Sequence, residues 1–384
     1  MQASDPNVIM TATPPLRILH AVRAPVGGIF RHILDLADGQ IERGHSVGIV
    51  ADSLTGGARA EAALAAMAPR LKLGVHRMPI CREPQPRDFL SWLCFRRLTR
   101  DLTPDVLHGH GAQAGAFVRM QPARAGVIKV YTPHGGSLHY APNTLKGMIY
   151  SRMERALMNR TDLFLFESAF ARDTYLRVVG QPAKPVRRVF NGVAASEFSP
   201  ISVADNATDL VYVGEFRHIK GADLLVGALA QLRQAGRNLT LTLAGDGEET
   251  ATLREQVAQL GVTDAVRFIG HVEPRHGFAQ GRLLVIPSRG DSMPYVVIEA
   301  AAAGCAMIAP RIGGIPEIFG PCSDGLFAGN DVTAMADAIA QAVDNLHMAQ
   351  KRALRLRQYV FEHFSLQAMV EGVLSGYHDA FANR

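Results

Sequence analysis

Runs of β-branched residues and leucine, each about the length of one strand, alternate with helix-length stretches along almost the whole chain. In the first half the runs lie at 16–22, 47–51, 105–108, 128–131, 162–166 and 186–190, and in the second at 210–213, 239–244, 266–269, 283–286 and 306–309. A strand that is apolar on both faces must be covered on both, so this alternation predicts parallel sheets with helices on either side. The series stops and restarts across 197–209, a polar stretch interrupted by Pro200, which reads as a linker. A chain of 384 residues is also too long for one ordinary core. The expected architecture is therefore α/β, with two doubly wound Rossmann-like domains, residues 1–200 and 201–364, facing each other across a cleft. Helical apolar spacing at 331–347 and 364–381 adds C-terminal helices, and the last, about 365–384, is expected to pack back on the first domain. Ligands of such sheets bind beyond the carboxyl ends of the strands, which directs attention to the cleft.

Composition narrows the class. Hydrophobic residues at 48% and charged residues at 20% are ordinary globular usage, which argues against disorder or a fibrous repeat. Cys81, Cys94, Cys305 and Cys322 show no C-x-x-C spacing, so neither a zinc knuckle nor a disulfide framework is indicated and a reducing compartment is expected. Residues 1–15 lack the basic and apolar segments of a secretory signal, and Glu299 interrupts the most alanine-rich stretch, so no membrane span is expected. The expected location is the cytoplasm, with or without peripheral contact at the inner face of the plasma membrane. The net charge of +5 is unevenly spread: residues 1–200 carry 25 Lys and Arg against 15 Asp and Glu, whereas 201–384 carry 15 against 20. A cationic half suggests an anionic partner, whether phosphate, nucleic acid or acidic membrane. Nucleic acid is the least favoured of these, because no nucleic-acid-binding motif accompanies the basic residues.

Several strand-end loops combine glycine with polar side chains. After the first apolar run come Gly27 and Gly28, then a helix with Ile33, Leu36 and Ile41 on one face. Glycines between a strand and a helix let backbone N–H groups approach an anion, which the helix dipole favours, so a phosphate seat competes here with a plain tight turn. G-x-G-x-x-G is absent and no G-K-[ST] follows, so this is neither a dinucleotide fingerprint nor a P-loop. The second half opens in the same way. Gly214, Glu215, Arg217, Lys220 and Gly221 lie between a strand and a helix, where Arg217 and Lys220 suit a diphosphate or else form a solvated basic loop.

The most informative segment is 287–304. Pro294 suits the first turn of a helix and Gly304 its C-terminal end, and Asp291 then sits on the entering loop, where N-capping is its plain role. Glu299 is harder to explain that way. Its helix is apolar nearly all round, so the carboxylate is expected to be buried and to need strong partners, which the two hydroxyls of a ribose supply. His134-Gly135-Gly136, Gly245-Asp246-Gly247-Glu248 and Gly313-Gly314-Ile315-Pro316-Glu317 also follow strands, each by itself an ordinary turn. His108 and His110 alternate at a strand end without a carboxylate or cysteine at ligand spacing, so no metal is expected. With no D-x-D in the chain, a diphosphate has to be neutralised by Lys, Arg and backbone N–H groups. The basic amphipathic stretch 89–100, with Trp92, Phe95 and Leu98, reads either as a helix packed on the first sheet or as one resting on an anionic membrane.

Taken in order, Gly27-Gly28, His134-Gly135, Lys220-Gly221, Gly245-Asp246-Gly247, an acidic residue and Glu299 separated by seven, and Gly313-Gly314-Ile315-Pro316-Glu317 resemble glycosyltransferase family 4, from Arg17 to about Phe364. The resemblance implies the GT-B fold, a retaining reaction and a nucleoside diphosphate sugar as donor, with no metal or other cofactor. It implies that Glu299 holds the donor ribose, while Asp291 and the backbone of Ser292, Met293 and Pro294 contact the sugar hydroxyls. Lys220 then binds the diphosphate, with Gly27 and Gly28 offering backbone N–H groups from the other domain. His134 lies beside the transferred sugar and Gly245 near the nucleotide.

Two positions depart from the family pattern. Asp291 stands where Glu is usual, and Glu215 replaces an Arg whose charge Arg217 is placed to take over. Family members of this kind build exopolysaccharide, capsule or lipid-linked oligosaccharide, which implies a glycan or lipid-linked saccharide as acceptor. The departing phosphate is expected to take the acceptor proton, and the basic half to close on it. The competing readings are an epimerase or hydrolase of the same fold and a non-catalytic nucleotide-sugar-binding protein. An NAD-dependent dehydrogenase fits the strands but lacks the glycine fingerprint.

Overall fold

The computed structural model describes residues 14–83, 85–135, 144–329 and 331–383. The first half runs β1 (Arg17–Val22), α1 (Gly27–Glu42), β2 (Ser46–Asp52), α2 (Gly57–Met67), β3 (Val75–Met78), α3 (Arg87–Leu102), β4 (Val106–His110), α4 (Ala112–Arg119), β5 (Ile128–Thr132), α5 (Leu145–Met158), β6 (Leu163–Phe166), α6 (Ala169–Val178) and β7 (Val186–Arg188). The second runs β8 (Thr208–Val213), α7 (Ala222–Gln234), β9 (Leu241–Ala244), α8 (Thr250–Gln259), β10 (Val266–Gly270), α9 (Pro274–Phe278), β11 (Gly281–Val285), α10 (Tyr295–Ala302), β12 (Met307–Pro310), α11 (Ile315–Phe319) and β13 (Leu326–Phe327). Three helices follow: α12 (Val332–Asp344), α13 (Leu346–His363) and α14 (Leu366–Ala382).

The strands form a seven-stranded sheet, β3-β2-β1-β4-β5-β6-β7, and a six-stranded one, β10-β9-β8-β11-β12-β13, every pair parallel. In each sheet the order reverses beside the first strand, which opens a crevice at the carboxyl ends. Each apolar run predicted from the sequence overlaps one of these strands. The two strands without such a run are β3, whose Val-His-Arg-Met has only Met78 buried, and the two-residue β13; both are sheet edges.

The C-terminal helix α14 lies on the first sheet's side of the molecule. Met369, Val370, Val373, Leu374 and Tyr377 are buried in one cluster with Ile18, Val47, Val106 and Leu163. The approach is close enough that a Cβ on Gly39 of α1 would fall 2.5 Å from Val370 Cγ2. The chain thus crosses between the sheets twice, and the crossings are bonded side by side. Val193 N–H donates to the Phe364 carbonyl and Leu366 N–H to the Val193 carbonyl, both at 2.9 Å. The expected linker at 197–209 is displaced from this junction, because a 3₁₀ turn at Ala195–Phe198 already buries Phe198 in the second half's core.

On α3, Phe95 is fully buried and Trp92 and Leu98 partly so, against Leu19 and Phe117. The same helix leaves Phe89 and Leu90 more than half exposed. Among the described residues no helix is long and apolar enough to cross a membrane, and the four cysteines are free thiols.

Candidate active site

Glycines bring the strand-end loops of the second half into direct backbone contact. A Cβ on Gly245 would lie 1.9 Å from the Gly214 carbonyl oxygen, and one on Gly221 2.0 Å from that of Pro287. On Gly313 and Gly314 it would lie 1.8 Å from the oxygens of Asp291 and Ser292, and Gly314 N–H donates to the Asp291 carbonyl at 3.0 Å. Segment 287–294 is thereby clamped between the loops after β8 and β12. Gly245 has a packing task of its own, whatever else it touches.

On this platform Lys220 Nζ donates to Asp291 Oδ1 at 2.7 Å. The other oxygen, Asp291 Oδ2, is buried and has no hydrogen-bond partner. An unsatisfied buried acceptor costs about 1–3 kcal/mol, so among the described residues Oδ2 is an acceptor left without the donor it needs. Arg289 donates twice to Asp223 at the start of α7, at 2.7 and 2.5 Å, which locks the loop preceding Asp291. Arg217 is partly exposed, with its guanidinium 3.4 Å from Glu215 and 3.9 Å from Glu248 of its own wall. Pro294 is the N-cap of α10 rather than a first-turn residue, and Met293 is buried.

Glu299 is buried on α10, as its apolar helix implied, but its partner is a cation. Arg31 of α1 reaches across the cleft to pair with Glu299, donates to Glu197 at 2.5 Å and to Asp35 at 3.2 Å, and lies over the Tyr295 ring at 4.8 Å. The expected diol is therefore not required to compensate this carboxylate. Gly28 is part of the same junction, since a Cβ there would meet Tyr295 Cδ2 at 3.3 Å, and α1 begins without a side-chain cap for its first N–H groups. Sequence reasoning assigned Arg31 no role; the available signal was a basic residue one turn into the helix after Gly27-Gly28.

The first-half wall is made of histidines. His134 follows β5 with a left-handed backbone, φ 51°, beside Gly135 at φ 73°; Gly136 lies outside the described residues. His134 Nε2 is 3.0 Å from His110 Nδ1, His110 Nε2 is 3.0 Å from His20 Nδ1, and His20 Nε2 is 2.8 Å from Gln40 Oε1. His108 is bonded to Tyr377 and Thr132, each at 2.8 Å, and His32 meets the His134 ring edge-on at 4.8 Å. Burial pushes His20 and His32 down to about 4, with neighbouring His20 adding to the effect at His32. It drives His108, His110 and His134 well below the ordinary imidazole value, helped by the other rings of the cluster. At neutral pH the wall is uncharged. Sequence offsets gave His108 and His110 no companions at ligand spacing, but the fold gathers two trios, His20-His108-His110 and His32-His110-His134, with ligand atoms within 4.8 Å.

Asn191 ties the two walls together. Its Oδ1 is 3.0 Å from His32 Nδ1, and its Nδ2 donates to the Met293 carbonyl at 3.0 Å. Glu317 has a similar joining role, accepting from the N–H groups of Ala169 and Phe170 at 2.8 and 2.9 Å and so capping α6. Glu167, at the end of β6, also escaped notice in the sequence. It is buried, neither carboxylate oxygen has a well-formed hydrogen bond among the described residues, and burial raises its pKa, with Glu317 adding to the rise and the nearby Ser292 hydroxyl opposing it.

Two parallel α/β sheets facing across a cleft of this kind define the GT-B glycosyltransferases. Residues 26–197 match the family described as Glycosyltransferase Family 4, and residues 207–345 match Glycosyl transferases group 1. The chain is 24% identical to the glycogen synthase of Mycobacterium tuberculosis (strain ATCC 25618 / H37Rv), over 92% of this chain and 91% of that one. It is 31% identical to the D-inositol 3-phosphate glycosyltransferase of Corynebacterium glutamicum (strain R), over 45% of this chain and 44% of that one. Sucrose-phosphate synthase from Thermosynechococcus elongatus superposes with a TM-score of 0.78 at 20% identity, over 96% of this chain and 99% of that one. HepE of Anabaena in complex with UDP-glucose gives 0.78 at 17% identity, over 95% and 100%. The chain belongs to glycosyltransferase family 4 and is a glycosyltransferase of the GT-B fold.

Proposed function

We propose that this glycosyltransferase moves a sugar from a nucleoside diphosphate sugar to a hydroxyl of a glycan or lipid-linked saccharide, with retention at the anomeric carbon, in bacterial surface polysaccharide synthesis. The observation that carries the reading is the Lys220–Asp291 pair. A cation 2.7 Å from a carboxylate whose other, buried oxygen lacks a donor puts a charge suited to phosphate beside an acceptor suited to a sugar hydroxyl once the loop shifts to expose it. Lys220 neutralises the charge that develops on the departing diphosphate, with backbone N–H groups at Gly27 and Gly28 on the opposite side. Asp291 and the backbone of Ser292 to Pro294 orient the sugar, His134 borders it, Gly245 borders the nucleotide, and Glu299 accepts from the ribose. Asp291 is engaged by Lys220, and so it orients rather than attacks. The acceptor's proton passes to the departing phosphate oxygen, and the new bond forms on the face the leaving group vacates. The proposal includes no metal and no other cofactor.

The first donors to try are UDP-sugars, since HepE of Anabaena was solved with UDP-glucose. An acceptor with an apolar carrier is supported by α3 and α5, whose exposed Phe89, Leu90, Leu145 and Met148 lie on helices framing a cavity of about 110 Å³ that Phe117 and Met153 help to line. Arg96, Arg97 and Arg100 on α3 suit peripheral contact with an anionic inner membrane face.

A thermal-shift panel of UDP-, GDP- and ADP-sugars tests the donor class, because a ligand of the native state raises its melting temperature. Transfer is then assayed with Lys220→Ala and Glu299→Ala, each checked for fold by circular dichroism. Turnover like that of the unmodified protein in both variants would sink the assignment. Rapid donor breakdown without any acceptor would instead favour a hydrolase or epimerase.

A further inference from the structure

The histidine wall has a direction. A neutral imidazole carries one N–H and one lone pair, so each ring in a bonded row passes on the sense it receives. Gln40 of α1 turns its amide oxygen to His20 Nε2 and leaves its own buried Nε2 without a partner among the described residues, and with the oxygen facing the ring His20 donates from Nε2. His20 Nδ1 then accepts from His110 Nε2–H, and His110 Nδ1 accepts from His134 Nε2–H. An amide cannot ionise, and burial keeps the rings neutral, so no excess proton scrambles the order. The row ends at His134, the partly exposed member, whose Nδ1 has no hydrogen bond among the described residues.

We propose that Gln40, His20 and His110 are positioning residues that lock His134 in its Nε2–H form, so that a bare acceptor nitrogen, Nδ1, meets the ligand in the cleft. Such a nitrogen takes a hydroxyl and turns away carbonyl and phosphate oxygens, which have no proton to give. Resting on the donor reading above, this assigns His134 to a hydroxyl of the transferred sugar and leaves the diphosphate to Lys220. The surroundings keep the row unbranched. Both nitrogens of His108 are taken by Tyr377 of α14 and by Thr132, and the Nδ1 of His32 is taken by Asn191. A metal ion on either trio would have to break the row, because each trio contains one of its 3.0 Å hydrogen bonds.

The test is long-range ¹H–¹⁵N correlation of histidine-labelled full-length protein without donor, with His134 assigned from the His134→Gln spectrum. The expected spectrum shows His134 protonated at Nε2 and bare at Nδ1. Gln40→Leu deletes the fixed acceptor and is expected to give a mixture of both tautomers at His134. With UDP-glucose as probe donor it should lower kcat about tenfold and leave the donor KM within about twofold, as loss of a supporting partner does. Gln40→Glu keeps an acceptor oxygen whether ionised or not, and is expected to return both the Nε2–H form and most of the turnover. Should Gln40→Leu not fold, the unmodified and Gln40→Glu spectra still decide. A His134 protonated at Nδ1, an unchanged His134 in Gln40→Leu, or one equivalent of zinc in the purified protein would overturn the proposal. The spectra need no donor, so an absence of any thermal shift with nucleotide sugars sinks the donor reading and leaves the tautomer result standing.

Discussion

Across the cleft, the first-half wall presents histidines that burial keeps uncharged, and the second-half wall presents ion pairs: Lys220 with Asp291, Arg217 with Glu215, Arg289 with Asp223. This inverts the charge tally, in which the first half has the cationic excess. Part of that excess is met by the C-terminal helix, where Arg43 pairs with Glu371 and Arg187 with Asp379, and Arg119 is buried against Glu154 of its own half. Arg31, which does enter the cleft, is shared among Asp35, Glu197 and Glu299. Net charge over a hundred or more residues describes the field seen by solvent and approaching partners. The chemistry of a site depends on a handful of side chains whose counterions the fold chooses.

The sharpest way to break the contrast is at Lys220. Lys220→Ala removes the cation assigned to the leaving group and should lower kcat about 10²- to 10³-fold, with a stability loss of no more than about 1–3 kcal/mol as Asp291 loses its donor, read by transfer assay and calorimetry. Loss of stability without loss of turnover would show the ionic wall to be structural. The mirror experiment is Glu154→Gln. Arg119 and Glu154 are bonded at 2.7 Å, Tyr131 donates to Glu154 at 2.8 Å, and both charges are almost fully enclosed. Leaving Arg119 without its counterion should cost roughly 3–5 kcal/mol in urea unfolding, while the affinity for a bound nucleotide sugar stays unchanged.

The neutral wall makes a pH prediction. His20 and His32 have folded values of about 4 against 6.5 when unfolded, so the unfolded chain binds more protons as pH falls. Their contribution is complete above pH 6.5 and is lost as pH drops towards 4, at up to about 1.4 kcal/mol per pH unit per histidine. Unfolding midpoints at pH 7 and pH 5 check this, and equal stability at the two would contradict a neutral wall. The smallest expected effect is Asp291→Glu, which restores the usual family residue. The added methylene should keep the Lys220 contact and change kcat by no more than a few-fold, with any shift appearing in donor sugar preference.

The strand pattern was legible because a parallel strand covered on both faces has to be apolar along its length, and edge strands such as β3 escaped because they do not. Asp291, Lys220 and the glycines stood out because they lie on strand-end loops with recognisable spacing, and Glu299 because it is the one charge in the apolar helix α10. Glu167 and Arg31 were not: a single carboxylate after β6 and an arginine inside a helix repeat nothing, and their significance depends on what faces them. Arg217 shows the reverse case. Its position suits a diphosphate, and only the fold shows that Glu215 and Glu248 lie 3.4 and 3.9 Å from the same guanidinium.

By itself, then, the sequence determined two parallel α/β layers, the order of their strands' apolar runs and the glycine-marked loops, because these follow from local periodicity and backbone freedom. Only the tertiary structure decided which charges meet. It brought Arg31 to Glu299, joined His20, His110 and His134 to Gln40, and set Asn191 between His32 and Met293. The physical reason is separation along the chain: hydrogen bonds and ion pairs act over a few ångströms, the histidine row forms only when strands and helix of the first sheet assemble, and Arg31 with Glu299 and Asn191 with Met293 meet only when the two halves come together.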